Sequence, residues 1–208
     1  MPAICSNQNG EATFPTLILI PDISGFTKYM YEADLNHSQV KIGQLLESII
    51  ENNILKLKIS EIEGDAVLFY DFNNTATLDE IMNQCHLMFT KFHEKLKEIS
   101  ESGCLCGSCV SLQSLSLKFV VHHGILGSIM IKEFCKLYGK ELIVAHRLLK
   151  NDIPIKEYFL LTEQFIHHIE EHNNMKNYSI PLDSLSRGSI KDDGLGVIEF
   201  RYGKMRSS

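Results

Sequence analysis

A chain of 208 residues, 44% hydrophobic and 22% charged, has the size and composition of one globular domain. Its 20 basic and 26 acidic residues give a net charge of −6 with no sustained basic run, which argues against nucleic acid or an anionic membrane as a partner. The N-terminus carries no secretory signal and no apolar stretch is long enough to cross a bilayer, so we expect a cytoplasmic protein.

Hydrophobic periodicity and turn residues predict strands and helices that alternate along the chain. Residues 1–15 are polar and predict a flexible lead-in, and residues 16–208 are expected to form a single domain. The first half predicts, in chain order, a buried strand at 17–20 bounded by two prolines, an amphipathic helix at 36–54, a hairpin with strands at 57–63 and 66–72, and a helix opened by a capping box at Thr77 and Glu80.

The second half begins with a cysteine-rich loop at 103–114. It then predicts a strand at 115–122, a partner strand returning at 124–131, a helix at 141–149, a strand at 158–161, a helix capped by Thr162 and a last strand at 197–202. The side chains of His122 and His123 are expected to face opposite ways, because they are neighbours on a strand. The interleaved elements indicate one α/β domain.

Two aspartates stand where predicted strands end. Asp22 follows the first strand and precedes Gly25, which permits a tight turn, and Asp65 lies at the tip of the hairpin. Carboxylates held at adjacent strand ends can share Mg²⁺ ions, which bind few protein groups and keep much of their water. In the alternative, Asp22 only caps a helix and Asp65 is only a turn residue; spacing alone favours this alternative.

The segments around both aspartates resemble the class III nucleotidyl cyclases. Residues 22–27, Asp-Ile-Ser-Gly-Phe-Thr, are similar to the family's first metal motif, and residues 64–66, Gly-Asp-Ala, to its second. The order continues through segments 123–127, 138–148 and 158–162. The resemblance implies a ferredoxin-like βαββαβ core, with a mixed, largely antiparallel sheet and helices packed on it.

By this resemblance, the chain binds two Mg²⁺ or Mn²⁺ ions and a nucleoside triphosphate. The metal ligands implied are Asp22 and Asp65, with the carbonyl of Ile23 as a third. The backbone at Gly25, Phe26 and Thr27 would lie against the triphosphate. The implied reaction is cyclisation, in which the ribose 3′-hydroxyl attacks the α-phosphate and pyrophosphate leaves.

Arg147 matches the arginine that stabilises charge on the α-phosphate in these enzymes, a role that suits a guanidinium. On its own, Arg147 is equally well explained as part of a surface ion pair. The resemblance also implies a head-to-tail homodimer with two sites, or a heterodimer, because the metal carboxylates of one chain and the arginine helix of the other form each site.

Three features of the sequence depart from the family pattern. Ile143 replaces the asparagine that orients the ribose, so a degenerate domain that binds nucleotide or a partner as a regulator is a second hypothesis. Only Lys204 stands near the expected C-terminal phosphate-binding lysine. Glu61 and Lys136 replace the adenylyl-type base-reading lysine and aspartate. A glutamate is found there in guanylyl cyclases and weakly favours guanine, although Glu61 is equally well explained as an outward-facing strand residue.

Three cysteines, Cys104, Cys106 and Cys109, fall within six residues of the predicted loop. Thiolates bind zinc tetrahedrally, so a structural Zn²⁺ with a fourth ligand from elsewhere and free or redox-active thiols are equal alternatives. The Cys-x-Cys-x-x-Cys pattern followed by Leu-Lys-Phe is similar to that of bacterial cyclase-like domains of unknown function. A third hypothesis is therefore a metal- or thiol-dependent interaction protein on a cyclase scaffold.

Overall fold

The computed structural model describes residues 13–101, 111–172 and 179–206. Most of the predicted lead-in, and the three loop cysteines Cys104, Cys106 and Cys109, lie outside these residues. The elements are β1 (Phe14–Ser24), α1 (Phe26–Glu32), α2 (Leu35–Glu51), β2 (Lys58–Glu63), β3 (Ala66–Phe72), α3 (Leu78–Glu101), β4 (Ser116–Ile131), β5 (Phe134–Tyr138), α4 (Lys140–Leu148), β6 (Tyr158–Thr162), α5 (Glu163–His172), β7 (Ser186–Asp192) and β8 (Gly196–Lys204).

The strands form one sheet in the order β2-β3-β1-β4-β6-β8-β7, and β5 pairs with β4 outside this path. Every pairing is antiparallel except that of β4 with β6. The elements from β1 to β4 make a βαββαβ core with the spatial order β2-β3-β1-β4. The predicted mixed, largely antiparallel sheet with helices packed on it is confirmed.

Strand β1 occupies the centre of this core. Its side chains alternate between two hydrophobic clusters, because successive residues of a strand point to opposite faces. Leu17 and Leu19 pack with α2, α3 and α5, whereas Ile18 and Ile20 pack with α4 on the other face. The strand is hydrogen-bonded to β3 on one edge and to β4 on the other. Residues at its end are therefore held rigidly.

The observed β1 is longer than the predicted run of 17–20, because it continues through both flanking prolines. Pro21 has no N–H to donate, which normally excludes proline from a central strand. The β1–β3 ladder accommodates it: bridge pairs are formed at Leu19 with Phe69 and next at Asp22 with Ala66. The prolines therefore do not bound the strand, and β1 carries Asp22 within it.

Local capping signals were predicted correctly. The backbone N–H of Thr77 donates to Oε2 of Glu80 at 2.8 Å, and that of Glu80 donates to Oγ1 of Thr77 at 3.3 Å. At the start of α5, the N–H of Phe165 donates to Oγ1 of Thr162 at 3.2 Å. These contacts satisfy N–H groups that the first helical turn leaves without partners.

The predicted return of the chain at 124–131 is wrong. Strand β4 is continuous from Ser116 to Ile131, and β1 pairs with it as far as Leu126. Gly124 is not a turn residue, since an added Cβ there would clash with the side chain of Glu141. The actual partner of the second half of β4 is β5, which follows a turn with Lys132 at a φ of 55°. Strand β7 was not predicted.

We expect Gly124→Ala to destabilise the protein by about 1–3 kcal/mol, because the methyl group would displace the side chain of Glu141. Gly43→Ala is the matched control, since nothing lies within 4 Å of a Cβ added at Gly43 in α2. Alanine should stabilise that helix by about 0.5–1 kcal/mol. Urea unfolding measures both changes, and a Gly124→Ala protein as stable as the wild type would contradict the close packing.

Candidate functional site

The carboxyl groups of Asp22 and Asp65 interact with each other, because Asp22 lies opposite Ala66, the residue next to Asp65, in the β1–β3 register. Strand β1 brings Asp22 to the site, and the β2–β3 hairpin brings Asp65, whose carbonyl accepts from the N–H of Ile23 at 3.1 Å. Burial, followed by the charge of Asp22, raises the pKa of Asp65 to about 7. Without a bound cation, Asp65 therefore takes up a proton as the pH falls below about 7.

Two glycines make the approach of these segments feasible. Gly64, at the tip of the hairpin, has a φ of 63°, and Gly25, between β1 and α1, has a φ of 89°. Both values lie in the left-handed region that side chains with a Cβ rarely adopt. Phe26 and Thr27 follow as the first residues of α1 and line the same cavity as the carboxylates. The segment 22–27 thus wraps around one end of the site.

A lysine that the sequence motifs did not identify forms an ion pair with Asp22. Lys118 lies directly opposite Asp22 in the β1–β4 register. Its Nζ is 3.0 Å from Oδ2 of Asp22 and donates to the carbonyl of Leu149 at 3.0 Å. The available signal was a charged residue within the apolar run from Leu117 to Val121, since a buried lysine needs an acidic partner.

The carboxylate pair and helix α4 enclose a cavity of about 780 Å³. Beyond the aspartates, its charged and imidazole side chains are Glu63, Lys118, His146, Arg147 and Lys150. Helix α4 also contributes Ile143, whose side chain is 52% exposed. Both predicted metal ligands, the predicted arginine and the residue at the ribose-orienting position therefore line one cavity.

Arg147 is engaged by an acidic residue at the edge of the sheet. Its Nε is 3.1 Å from Oδ2 of Asp192, the last residue of β7. The surface ion pair that the sequence analysis considered for this arginine is therefore present, with a residue 45 positions away. The ion pair and the cavity position coexist, because a guanidinium offers five N–H donors.

The two residues at the base-reading positions contact each other. Nζ of Lys136 donates to Oε2 of Glu61 at 3.2 Å, although 75 residues separate them. Nε2 of His146 lies 3.2 Å from Oε1 of the same glutamate, and its Nδ1 is 3.6 Å from Glu63. His146 also lines the carboxylate cavity, so it joins the Glu61–Lys136 pair to that cavity. Sequence reasoning missed this histidine.

Lys204 does not lie at the carboxylate cavity. It lines a separate cavity of about 380 Å³ together with His93 and Glu157. The lysines that do line the carboxylate cavity are Lys118 and Lys150, the latter exposed just beyond the end of α4. At the end of α4, Lys150 therefore adds a second exposed cation to this cavity, whereas Lys204 does not reach it.

The adjacent histidines face opposite ways, as predicted. His122 is fully buried, with Nδ1 2.9 Å from Oγ1 of Thr162 and Nε2 3.0 Å from Oε2 of Glu141. Since an ionised carboxylate only accepts, Nε2–H donates to Glu141, and Nδ1 forms the hydrogen bond with the hydroxyl of Thr162. This network fastens the first turn of α4 to the sheet. His123 instead stacks on His168, with ring centroids 3.6 Å apart.

The donor set at the carboxylate pair fits Mg²⁺ or Mn²⁺. Two carboxylates, with the backbone of Ile23 beside them, offer hard oxygen ligands, and such ions take their remaining ligands from water and phosphate. Among the described residues, no group of three or more histidine, cysteine or acidic side chains is arranged to hold a metal ion. An ion held by this pair would therefore take most of its ligands from water or a bound anion.

A sequence profile of the family described as "Protein of unknown function (DUF2652)" matches residues 42–158, more than half of the chain. The "Uncharacterized protein Rv2561/Rv2562" of Mycobacterium tuberculosis (strain ATCC 25618 / H37Rv) is 32% identical over 143 residues. That match covers 68% of this chain and 65% of the mycobacterial protein, so this chain spans slightly less than two thirds of its relative.

Solved structures share the fold over nearly the whole chain. The adenylyl cyclase CyaB from P. aeruginosa superposes with a TM-score of 0.64 at 13% identity, covering 94% of this chain and 96% of that one. The guanylate cyclase domain of RhGC from Catenaria anguillulae, solved in complex with GTP, gives 0.60 at 10% identity, covering 94% and 100%. The guanylyl cyclase Cya2 gives 0.58 at 15%, covering 93% of each chain. At these identities the likeness establishes the fold alone.

Within the described part of the chain, no helix has the length and apolar character needed to span a bilayer.

Proposed function

We propose that this chain converts a nucleoside triphosphate to a cyclic nucleotide and pyrophosphate. The chain belongs to the DUF2652 family of proteins of unknown function and has the fold of adenylyl and guanylyl cyclase catalytic domains. The observation that carries the proposal is the contact between the carboxyl groups of Asp22 and Asp65 in a cavity that Arg147 also lines. A chance pair of acidic residues would not bring an arginine from a separate helix to the same cavity.

In this proposal, Asp22 and Asp65 hold Mg²⁺ or Mn²⁺, together with the carbonyl of Ile23. When bound, such ions supply positive charge that acidifies the attacking 3′-hydroxyl and neutralises the triphosphate. The backbone at Phe26 and Thr27 lines the cavity and is assigned to the triphosphate.

Two cations from the end of α4 complete the proposed substrate site. Arg147 exchanges its contact with Asp192 for the α-phosphate, where a guanidinium can stabilise the charge that develops during attack. Lys150, exposed at the rim of the same cavity, is assigned to the remaining phosphates. Lys150 would thus take the phosphate-binding role that the cyclase resemblance assigns to a C-terminal lysine.

Guanine is the base that we favour. A carboxylate accepts hydrogen bonds from guanine N1–H and the exocyclic amine, whereas it repels the acceptor edge of adenine. Glu61 is held by Lys136 on one oxygen and by His146 on the other, so its carboxylate is oriented and its charge is balanced. Such preorganisation lowers the cost of binding.

A head-to-tail homodimer is part of the proposal. Strand β5 and residues 127–131 of β4 form a two-stranded arm that, among the described residues, pairs with no other strand. The arm exposes a group of large apolar side chains, namely Ile129, Met130, Ile131, Phe134 and Tyr138. Exposed apolar surface of this kind is typical of interaction sites. A second copy of this chain is the partner that we propose for this surface.

Two further assignments belong to the proposal. The chain represents a bacterial cyclase-like subfamily whose cysteine loop binds a structural Zn²⁺ through Cys104, Cys106 and Cys109, which lie outside the described residues. A cytoplasmic location, as predicted from the sequence, would give access to nucleoside triphosphates.

A second candidate function is a regulator that binds nucleotide without turning it over. Ile143 favours it, because an apolar side chain at the rim of the cavity offers no hydrogen bond to a ribose. Retention of both metal-site aspartates favours the enzyme. The two functions differ in one observable, since the regulator would bind a triphosphate and release it unchanged.

The experiment is incubation of the purified chain with each of ATP, GTP, CTP and UTP in Mn²⁺ and in Mg²⁺, with mass-spectrometric detection of cyclic nucleotide and pyrophosphate. We expect a cyclic product, with GTP preferred, and none from Asp65→Asn. Asp193→Asn is the matched control, because it removes the same charge from an exposed position and should keep full activity. Absence of cyclic product with all four nucleotides would overturn the catalytic proposal.

A further inference from the structure

Lys118 is a charged group that the proposed mechanism does not use, although it touches the carboxylate pair. We infer that its ammonium acts as a built-in cation of the site, so that Asp22 and Asp65 bind one divalent ion and not two. The inference rests on the proposed function, because it concerns the metal that the same carboxylates hold. It departs from the two-ion arrangement implied by the sequence resemblance.

The ammonium is fixed on two sides. Lys118 and Asp22 are directly opposite each other on paired strands, which brings their side chains to the same face. Nζ is 3.0 Å from Oδ2 of Asp22 and 3.0 Å from the carbonyl of Leu149, and the side chain is only 16% exposed. Moving this ammonium from the carboxylate into solvent would therefore cost more free energy than the same movement of an exposed lysine.

The charges near the pair leave room for one ion. Two ionised carboxylates carry two negative charges, and the ammonium of Lys118 balances one of them. A divalent ion more than balances the remaining charge before any phosphate arrives. A second ion would have to approach Asp22 beside a positive charge already 3.0 Å from its Oδ2, in a partly buried site where like charges are screened weakly.

The contacts of Asp22 lead to the same count. Its carboxylate interacts with that of Asp65, and its Oδ2 is 3.0 Å from Nζ of Lys118. One ion would be held by Asp22 and Asp65 together. A second ion would have to compete with the ammonium of Lys118 for Asp22, and Lys118 therefore disfavours it.

The contact with Leu149 gives the same lysine a second, positioning role. The carbonyl of Leu149 lies directly after α4, two residues beyond Arg147. Its bond to Lys118 joins the end of the arginine helix to the strand that faces the metal site. Removal of the ammonium would therefore both free Oδ2 of Asp22 and loosen the end of α4.

The test counts Mn²⁺ ions bound by the full chain, with the free ion measured by electron paramagnetic resonance and no nucleotide present. Mn²⁺ is chosen because it prefers oxygen ligands over the thiolates of the cysteine loop. The wild type should bind one ion per chain, and Asp65→Asn should lose it. Lys118→Met should bind two ions per chain, the first at least about tenfold more tightly than in the wild type, because a like charge has been removed.

Lys97→Met is the matched control, since Lys97 pairs with its helical neighbour Glu101 on an exposed part of α3, away from the cavity, and should leave the count at one. Lys118→Arg keeps the charge and should also bind one ion, so the test stands if Lys118→Met does not fold. Two ions bound by the wild type, or a folded Lys118→Met that binds Mn²⁺ as the wild type does, would overturn the inference.

The count also separates this inference from the proposed function. One ion per wild-type chain without any cyclic product supports the role of Lys118 and rejects catalysis. Two ions per wild-type chain together with product formation would reject the role of Lys118 and support catalysis. No Mn²⁺ bound by the wild type overturns the inference together with the metal dependence of the proposed reaction.

Discussion

Replacement of Asp65 by asparagine is expected to lower cyclic nucleotide formation at least about 1000-fold and, at the same time, to make the metal-free protein more stable. The loss of activity follows from the loss of a carboxylate that holds the cation. The gain in stability follows from the burial and the neighbouring charge of Asp22, which raise the pKa of Asp65 to about 7. An asparagine amide can donate to Asp22 without a proton having to be taken up.

The pH dependence of this gain has a definite direction. Because the pKa of Asp65 rises from 3.8 in the unfolded chain to about 7, the stabilising contribution of its proton is complete below pH 4 and is lost as the pH rises to 7. The full shift corresponds to about 4 kcal/mol, which solvent screening around this half-buried group reduces to about 2 kcal/mol. Asp65→Asn should therefore exceed the wild type by about 2 kcal/mol at pH 8 and by nothing at pH 4.

The measurement is urea unfolding in EDTA from pH 4 to 8.5, followed by circular dichroism. Asp193→Asn, which removes an exposed carboxylate between β7 and β8, should follow the wild-type curve. Saturating Mn²⁺ should stabilise the wild type at pH 8 and leave Asp65→Asn unchanged, because binding to the folded state alone shifts the equilibrium. A variant less stable than the wild type at pH 8 would contradict the proton-sharing carboxylate pair.

Features set by neighbouring residues could be predicted from the sequence. The Gly64-Asp65 turn, the Thr77–Glu80 capping box and the cap at Thr162 depend on contacts within three residues, and the structure contains all of them. The two aspartate motifs could be located because each places a glycine with a positive φ next to a strand. Their convergence was expected from the resemblance and not from spacing.

Features set by distant residues could not be predicted in the same way. Lys118 reaches Asp22 only through the register of β1 with β4, and the sequence shows merely a lysine in an apolar run. The contact of Glu61 with His146 spans 85 residues and depends on how α4 packs on the sheet. The same packing explains the wrong turn at Gly124, since the glycine makes room for Glu141 from α4.

The residues of the site therefore fall into two groups. The carboxylates lie at turns that neighbouring residues determine. The charged side chains that pair with site residues are brought there by the sheet register and by the packing of α4. Lys118 and Asp192 illustrate the second group, because each pairs with a residue that the motifs had already identified. Motif reading finds the groups that perform chemistry more readily than the groups that set their charge.

Replacement of Ile143 by asparagine is expected to raise the rate of cyclisation about 100-fold, because it supplies the hydrogen-bonding group that the resemblance assigns to the ribose. Ile143 lies one helical turn before Arg147, so the two side chains share a face of α4 and line the same cavity. Its side chain is 52% exposed, and asparagine in place of isoleucine should cost α4 less than about 1 kcal/mol.

The gain should appear in kcat more than in KM, since a group that orients the reacting ribose acts most strongly in the transition state. Ile143→Leu keeps the apolar character and should leave the rate unchanged. Ile62→Asn makes the same substitution on β2 at a position that is 51% exposed and outside the cavity lining, and it should also have no effect. If Ile143→Asn binds a triphosphate as tightly as the wild type and neither protein forms a cyclic product, the regulator is the better account of this cavity, because restoring the missing ribose contact would then restore no chemistry.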